Sequence, residues 1–352
     1  MNILLFFSDQ NNAVYYHRLI LPFQHMKDVK VRINIGRAIL MDLVWADVMI
    51  FSRVIDNDPY EVREIMNDYN IKLIIDFDDH YKLPPNHILY SSYQLSNMAR
   101  KQQEFARIAD QVWVTNKRLA SVFQKETDEV YVIPNAIPFG MGQFTEEGYI
   151  ESDRIRFFYA GGKTHQHDIE LLEKTCIALR KDPLFKQIGQ MVLGGYKDDS
   201  LAAKFYWDKI ENIWSGKRPQ HPTYQRLREL PVQSYMDLYN SADVALIPLE
   251  DNHFNRCKSN LKVLEAAAKK IPAICSRVET FTDNEPPVRW VYQESDWLKH
   301  IQYYLNNPMQ IIEDGEKLHL WAMAHHNMAD MNFLRSELLN KLVGQPVTTS
   351  NL

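Results

Sequence analysis

The chain is predicted to be an α/β protein built from two doubly wound halves, each a parallel sheet with helices on both faces. Three observations carry this. Short apolar runs alternate with helical stretches, as parallel sheets with crossover helices require. The alternation lapses once, around 139–153, and then resumes. A length of 352 residues suits two domains of ordinary size.

In chain order, Asn2–Phe7 reads as the first strand, followed by a loop and a helical run through HRLILPFQHM. Val29–Ile35, Val48–Phe51 and Leu73–Phe77 are further buried strands, bounded by turn or charge signals. Pro59–Tyr69 and Ser92–Ala109 are helices between and after them. Gln111–Thr115, the helix Lys117–Lys125 and the strand Glu129–Ile133 complete the first half. The segment GMGQFTEEGYIESD has no periodicity and reads as a linker. The second half runs through the strand Ile155–Ala160, the helix Asp168–Lys181, the strand Gln190–Gly194, the helix Ser234–Ser241 and the strand Asp243–Pro248. Val288–Tyr292 is a last strand; Asp296–Asn306 and Glu316–Leu342 are helices. The boundaries expected are an N-terminal domain at 1–140, a linker at 141–154, a second domain at 155–305, and C-terminal helices at 306–352 crossing back to the first domain. Residues 197–231 stand out as an insertion of about 35 residues, where a connection usually takes only a few.

Composition excludes several classes. A hydrophobic share of 45% with 24% charged residues describes a folded globular chain, not a disordered one. No apolar run is long enough to span a membrane, and MNILLFFSDQNN lacks the basic start of a signal peptide. Cys176, Cys257 and Cys275 are odd in number and widely spaced, which argues against a disulfide framework or a zinc site and for a reducing, cytoplasmic setting. A net charge of −5 argues against coating nucleic acid through overall charge, without excluding a local basic patch.

The most informative stretch is His253–Ser276, a polar loop, a helix expected at 259–270 and an apolar strand. Ser259 or Asn260 can cap the helix start, and Ile271-Pro272 ends it. Unpaired N–H groups and the helix dipole make such a start an anion site, to which Lys258 and Lys262 add charge. Glu265 sits one turn on as a hydroxyl acceptor; the plain alternative is a Glu265–Lys269 surface pair.

Several segments, in order, resemble those of family-4-like retaining glycosyltransferases of the GT-B fold (the "group 1" type). Ala109-Asp110-Gln111-Val112 through Leu119 and Val132-Ile133-Pro134-Asn135-Ala136-Ile137 resemble two N-terminal markers. Tyr239-Asn240-Ser241-Ala242-Asp243-Val244 running to Pro248 resembles the segment before the donor site, and Lys258-Ser259 through Glu265-Ala266 the donor helix itself. The resemblance implies two Rossmann-like domains facing across a cleft, with the donor in the C-terminal half, the acceptor in the N-terminal half, and transfer with retention. It implies that Glu265 accepts from the nucleotide ribose, that backbone N–H groups at Asn260 and Leu261 hold the diphosphate, and that Lys163 after Gly161-Gly162 contacts it. Lys258, Ser259 and Lys262 complete the implied donor set. No metal is then needed, because fixed cations meet the charge on the leaving diphosphate.

Two positions depart from the pattern. The family's paired acid, eight residues before Glu265, is Cys257 here, and the second diphosphate base, five past Lys163, is Asp168. Lys258 or Lys262 could supply the missing charge. The first turn, SDQNN, also lacks glycine.

Outside the donor helix, Asp76-Phe77-Asp78-Asp79-His80 ends a strand where open sheets place ligands. Asp78 and Asp79 are candidate acceptor or sugar contacts, alongside Lys163 and Lys258 as catalytic candidates; with inversion, Asp9, Asp78 or Asp79 would be the base. His165 is expected to line the cleft, His167 to face solvent, and His17-Arg18 to face the cleft. The basic and aromatic stretch at 214–228 (Trp214, Lys217, Arg218, Tyr224, Arg226, Arg228) suits a phosphate backbone with stackable bases, or else a solvated helical hairpin.

The expected function is transfer of a sugar from a nucleotide-sugar, a UDP-sugar by preference, to an acceptor hydroxyl. The acceptor is either a cell-surface glycan or lipid-linked precursor, or a hydroxymethylated base in phage DNA. The alternative is a non-catalytic nucleotide-sugar-binding protein.

Overall fold

The computed structural model describes residues 1–8, 11–36, 38–197, 199–216 and 221–344, apart from the side chains of Lys163 and Ala202. Asp9, Lys217 and Arg218, singled out from the sequence, lie outside the described residues, as does the side chain of Lys163.

The chain forms two six-stranded parallel sheets with flanking helices. The first contains β1 (Asn2–Phe7), β2 (Lys30–Ile35), β3 (Val48–Ser52), β4 (Lys72–Phe77), β5 (Gln111–Val114) and β6 (Val130–Val132), in the order β2-β1-β3-β4-β5-β6. The second contains β7 (Ile155–Ala160), β8 (Gly189–Tyr196), β9 (Tyr224–Arg228), β10 (Val244–Ile247), β11 (Ala273–Ser276) and β12 (Arg289–Val291), in the order β12-β11-β10-β7-β8-β9. β3, β5, β10 and β11 are buried along their whole length, as strands covered on both faces must be. The chain changes direction across each sheet beside its first strand, between β1 and β3 and between β7 and β10. Crevices at such switch points, outside the carboxyl ends of the strands, are where open α/β sheets take ligands.

Two Ala-Asp pairs fix strand starts. Asp110, just before β5, accepts from Arg63 and from the Leu73 backbone N–H at 2.7 Å. Asp243, just before β10, accepts from the Arg156 backbone N–H at 2.7 Å and from its guanidinium. Each carboxylate ties one strand start to the next, which gives these motif positions a structural reason.

The contacts divide the chain into two compact units: Met1–Ala136 with Cys257–Ser259 and the segment from His326, and Ile137–Arg256 with Asn260–His325. The irregular stretch after Ile137 belongs to the second unit, where Phe144 is buried, Gln143 donates to the Val232 carbonyl and Ile150 N–H to the Asn240 carbonyl.

Three sequence expectations are corrected. The described residues of 197–231 form not an insertion but part of a further crossover, with the helix Leu201–Ser215 before edge strand β9, which pairs with β8. Trp214 and Tyr224 are buried in the core, so neither offers a face to a base; the Tyr224 hydroxyl and Arg226 both reach Glu211. The expected helix Glu316–Leu342 is two helices, Met309–His325 and Met328–Val343, because Asn327 caps the second by accepting from Ala329 N–H. The expected helix Asp168–Lys181 is also two, Gln166–Glu170 and Glu173–Leu179.

Candidate functional site

In the second unit the site is built on the carboxyl ends of β7 and β10. β7 runs into Gly161-Gly162 and a 3-10 turn, Lys163–His165. A Cβ at Gly161 would lie 2.6 Å from the Tyr159 hydroxyl and 2.8 Å from Lys262 Nζ, so glycine is what lets that ammonium approach the turn. Lys262 Nζ donates to the Ala160 carbonyl at 2.7 Å and stands 4.4 Å from the centre of the Tyr159 ring. The helix carrying Lys262 spans Leu261–Ala268, shorter than expected. Asn260 occupies its cap position, but its side chain makes no cap bond.

Glu265 lies on the inward face of that helix and is only 5% exposed. Tyr239, from the 3-10 helix Tyr235–Ser241, donates its hydroxyl to Glu265 Oε2 at 2.8 Å. Burial pushes the Glu265 carboxyl up to about 7, against the opposing pull of the Tyr239 bond and Lys262. The surface-pair alternative does not form: Lys269 turns instead to the Asn240 side chain and the Glu147 carbonyl.

Asp168 is a buried anchor. Its Oδ1 accepts from the Glu250 backbone N–H at 2.9 Å and from Asn255 Nδ2 at 3.3 Å, and its Oδ2 lies 2.9 Å from His165 Nδ1. The position where the resemblance expects a base is thus a carboxylate that joins the turn after β7 to the loop after β10.

In the first unit, the acidic run after β4 divides by role. Asp76 is fully buried and paired with Arg18, whose Nη2 is 2.7 Å from Oδ2. Arg18 also donates to the Ile133 carbonyl and to Asn135 Oδ1. Arg18 is therefore a core cation rather than a ligand contact. His17 is buried beside it and pushed down to about 4, so it is neutral. Asp78 and Asp79 are partly exposed and held by Arg53, at 2.7 and 2.9 Å. Burial raises the Asp78 carboxyl despite the Arg53 charge. Arg53 reaches them from a left-handed backbone, φ +64°, with its N–H on the Asp76 carbonyl. Lys258 Nζ lies 3.4 Å from Asp79 Oδ1. His80 is buried, and its Nδ1 accepts from Lys82 N–H.

Cys257 is fully buried and belongs to an apolar cluster with Phe77, Tyr81 and Phe123. Asn116 Nδ2 donates to the carbonyls of Cys257 and Lys258, at 3.1 and 2.7 Å. A cysteine thus suits this place sterically and electrically, where a carboxylate would be costly.

The donor candidates divide accordingly. Gly162, Asn260, Leu261, Lys262 and Glu265 fall in the second unit with the backbone of Lys163, whereas Lys258 and Ser259 group with the first. Sequence reasoning missed Tyr239 as the holder of Glu265, although the residue lies in a quoted motif. It also missed Arg53, whose sequence neighbourhood gives no signal of a left-handed turn. Among the described residues, no group of three or more His, Cys, Asp or Glu could hold a metal ion, and no helix is long and apolar enough to cross a membrane.

Comparison with known proteins adds a partial family match and the fold. Residues 182–331 match the "Glycosyl transferase-like" family model. No protein of curated function matches the chain by sequence. Among solved structures, the fold is similar to sucrose-phosphate synthase from Thermosynechococcus elongatus, with TM-score 0.70 at 13% identity over 98% of this chain and 100% of that one. It is similar to HepE of Anabaena in complex with UDP and glucose, with TM-score 0.61 at 11% identity over 97% and 100%. It is also similar to a UDP-forming α,α-trehalose-phosphate synthase from Burkholderia xenovorans, with TM-score 0.68 at 9% identity over 97% and 99%. The two parallel six-stranded sheets give this chain the GT-B fold, and the segment that resembles glycosyl transferases contains β10, the helix Leu261–Ala268 and Glu265.

Proposed function

We propose that this chain is a glycosyltransferase that takes a UDP-sugar as donor and transfers the sugar, with retention and without a metal, to a hydroxyl of a glycan or lipid-linked acceptor. The observation that carries the reading is Glu265, a buried carboxylate held by Tyr239 one turn inside the helix that starts at Leu261. A carboxylate only accepts, and a ribose offers two adjacent hydroxyls to donate. Lys262 at the Gly161 turn places a cation beside the same helix start, where the diphosphate would gain charge as the sugar leaves. Two of the similar structures are named for UDP, which favours uridine as the nucleoside.

Retention is favoured because Asp78 and Asp79 both have oxygens engaged by Arg53, an arrangement suited to fixing geometry more than to taking a proton. A carbohydrate acceptor is favoured over hydroxymethylated DNA because the aromatic side chains that would stack on bases, Trp214 and Tyr224, are in the core. One observation supports a second reading, a non-catalytic nucleotide-sugar binder: the position of the family's paired acid holds a buried thiol.

The test is a thermal-shift panel of UDP-, GDP- and ADP-sugars, with mass spectrometry for released sugar. A rise in melting temperature with a UDP-sugar, and slow hydrolysis of it, is expected. A shift without turnover across glycan, lipid-linked and hydroxymethylated-DNA acceptors favours the binder. No shift with any donor removes the donor site.

A further inference from the structure

Glu265 and Lys262 account for a nucleoside and part of a diphosphate, but they leave unexplained a second ordered polar group at the same switch point. Asp168 is buried, and each of its oxygens has an assigned partner. Oδ1 receives the Glu250 N–H and the Asn255 amide from the loop after β10, and Oδ2 faces His165 Nδ1 at 2.9 Å. Asn255 is buried too, with its amide shared between Asp168 and the Glu250 carbonyl. A carboxylate held in place by two loop donors fixes the ring next to it, as an orienting acid fixes an imidazole in other enzymes. Because the carboxylate only accepts, the proton on that side of His165 is on Nδ1, and Nε2 is directed away from Asp168. The His165 side chain is 24% exposed, with its Nδ1 held on Asp168. It closes the turn Lys163–His165, directly after the two glycines that end β7.

We propose that His165, oriented by Asp168, is a hydrogen-bond donor to the diphosphate of the sugar donor. The inference rests on the donor site proposed above. Donation from both nitrogens makes the ring an imidazolium, held between the Asp168 carboxylate and the diphosphate oxygens. The charge that the resemblance expects from a base five positions past Lys163 is supplied from three residues earlier, by a ring whose partner occupies that base's place. The elements packed on this turn bring other charged groups: His167 and Glu170 on the helix Gln166–Glu170, Glu250 and Asp251 after β10, Lys262 on the donor helix, and Lys204, Asp208 and Lys209 on the helix Leu201–Ser215. Lys209 is paired with Glu170 and Asp251 with Arg256.

The experiment is calorimetric titration of UDP and of uridine into the full-length protein and into the variants His165→Ala and His165→Gln. The expected result is a loss of about ten- to a hundredfold in UDP affinity for His165→Ala, the usual range for a bond to a charged group, with uridine affinity unchanged. His165→Gln, which keeps a neutral donor, should recover part of the loss. Equal UDP affinity in wild type and His165→Ala overturns the role of His165 while leaving the donor site standing. An equal fall in UDP and uridine affinity overturns it as well, because the ring would then act only on the shape of the site. If wild type binds neither ligand, the donor site itself is wrong and the inference falls with it.

Discussion

Glu265 is where burial and the proposed function meet in one side chain. A carboxyl that titrates near 7 in the folded chain, against a usual 4.5, binds its proton more tightly folded than unfolded. Its contribution to stability is therefore present at low pH and is lost as pH rises from 4.5 through 7, at a cost of about 3 kcal/mol by pH 8. Glu265→Gln removes that cost and keeps an oxygen for the Tyr239 hydroxyl. The variant is expected to melt above wild type at pH 8, with the difference shrinking toward pH 5, and to bind UDP about tenfold more weakly. In wild type, the affinity for uridine, which has no diphosphate for His165 to meet, should rise between pH 6 and pH 8 as the acceptor carboxylate ionises, by up to about tenfold. Melting curves and titrations at these pH values check both; a difference in melting temperature that does not vary with pH would refute the burial argument. The sequence revealed Glu265, through its place on a helix after a basic loop. It did not reveal Tyr239 as its partner or the fate of Cys257, because both depend on what faces the residue across the fold.

At the scale of elements, the strands were largely legible and the connections were not. Continuous apolar runs such as ILLFF and VMIFS announce strands buried on both faces, and those segments form β1 and β3. β9 was missed because its sequence, YQRLR, belongs to an edge strand with side chains at alternate positions in water. A strand of this kind gains its place from its neighbour: among the described residues it pairs only with β8, and its side chains are held by the helix before it. Glu211 on that helix is the link, accepting from the buried Tyr224 hydroxyl at 2.8 Å and from Arg226 at 3.0 Å. Glu211→Ala leaves the Tyr224 hydroxyl without this acceptor and should cost about 1–3 kcal/mol. Hydrogen exchange should accelerate first at 224–228, with UDP affinity unchanged. Uniform acceleration throughout the second sheet would contradict a local role.

At the scale of the molecule, the last helix belongs with the beginning of the chain. Asn332 donates to the Pro22 carbonyl, Gln111 to the Leu338 carbonyl, and His326 Nδ1 lies 3.0 Å from the Asn135 carbonyl. Arg335 is buried in the same unit, its guanidinium lowered to about 9 by burial and by the Arg18 charge. A chain ending at His325 should lose exchange protection at 16–24 and in β5 and β6, while the second unit keeps its protection. Hydrogen exchange followed by mass spectrometry measures this; equal loss in both units would mean that the helix supports the whole fold.

The sequence by itself determined the α/β class, the two successive sheets, and the position of the helix that carries Lys262 and Glu265. These follow from local pattern, since apolar runs, caps and turn residues act over a few neighbours. Only the tertiary structure decided that Asp168 orients His165, that Arg53 holds Asp78 and Asp79, that Asp76 is consumed by Arg18, and that Cys257 is core. Each of these depends on groups distant in sequence meeting in a low-dielectric interior, where an unpaired charge is too costly to persist and the partner is set by the fold.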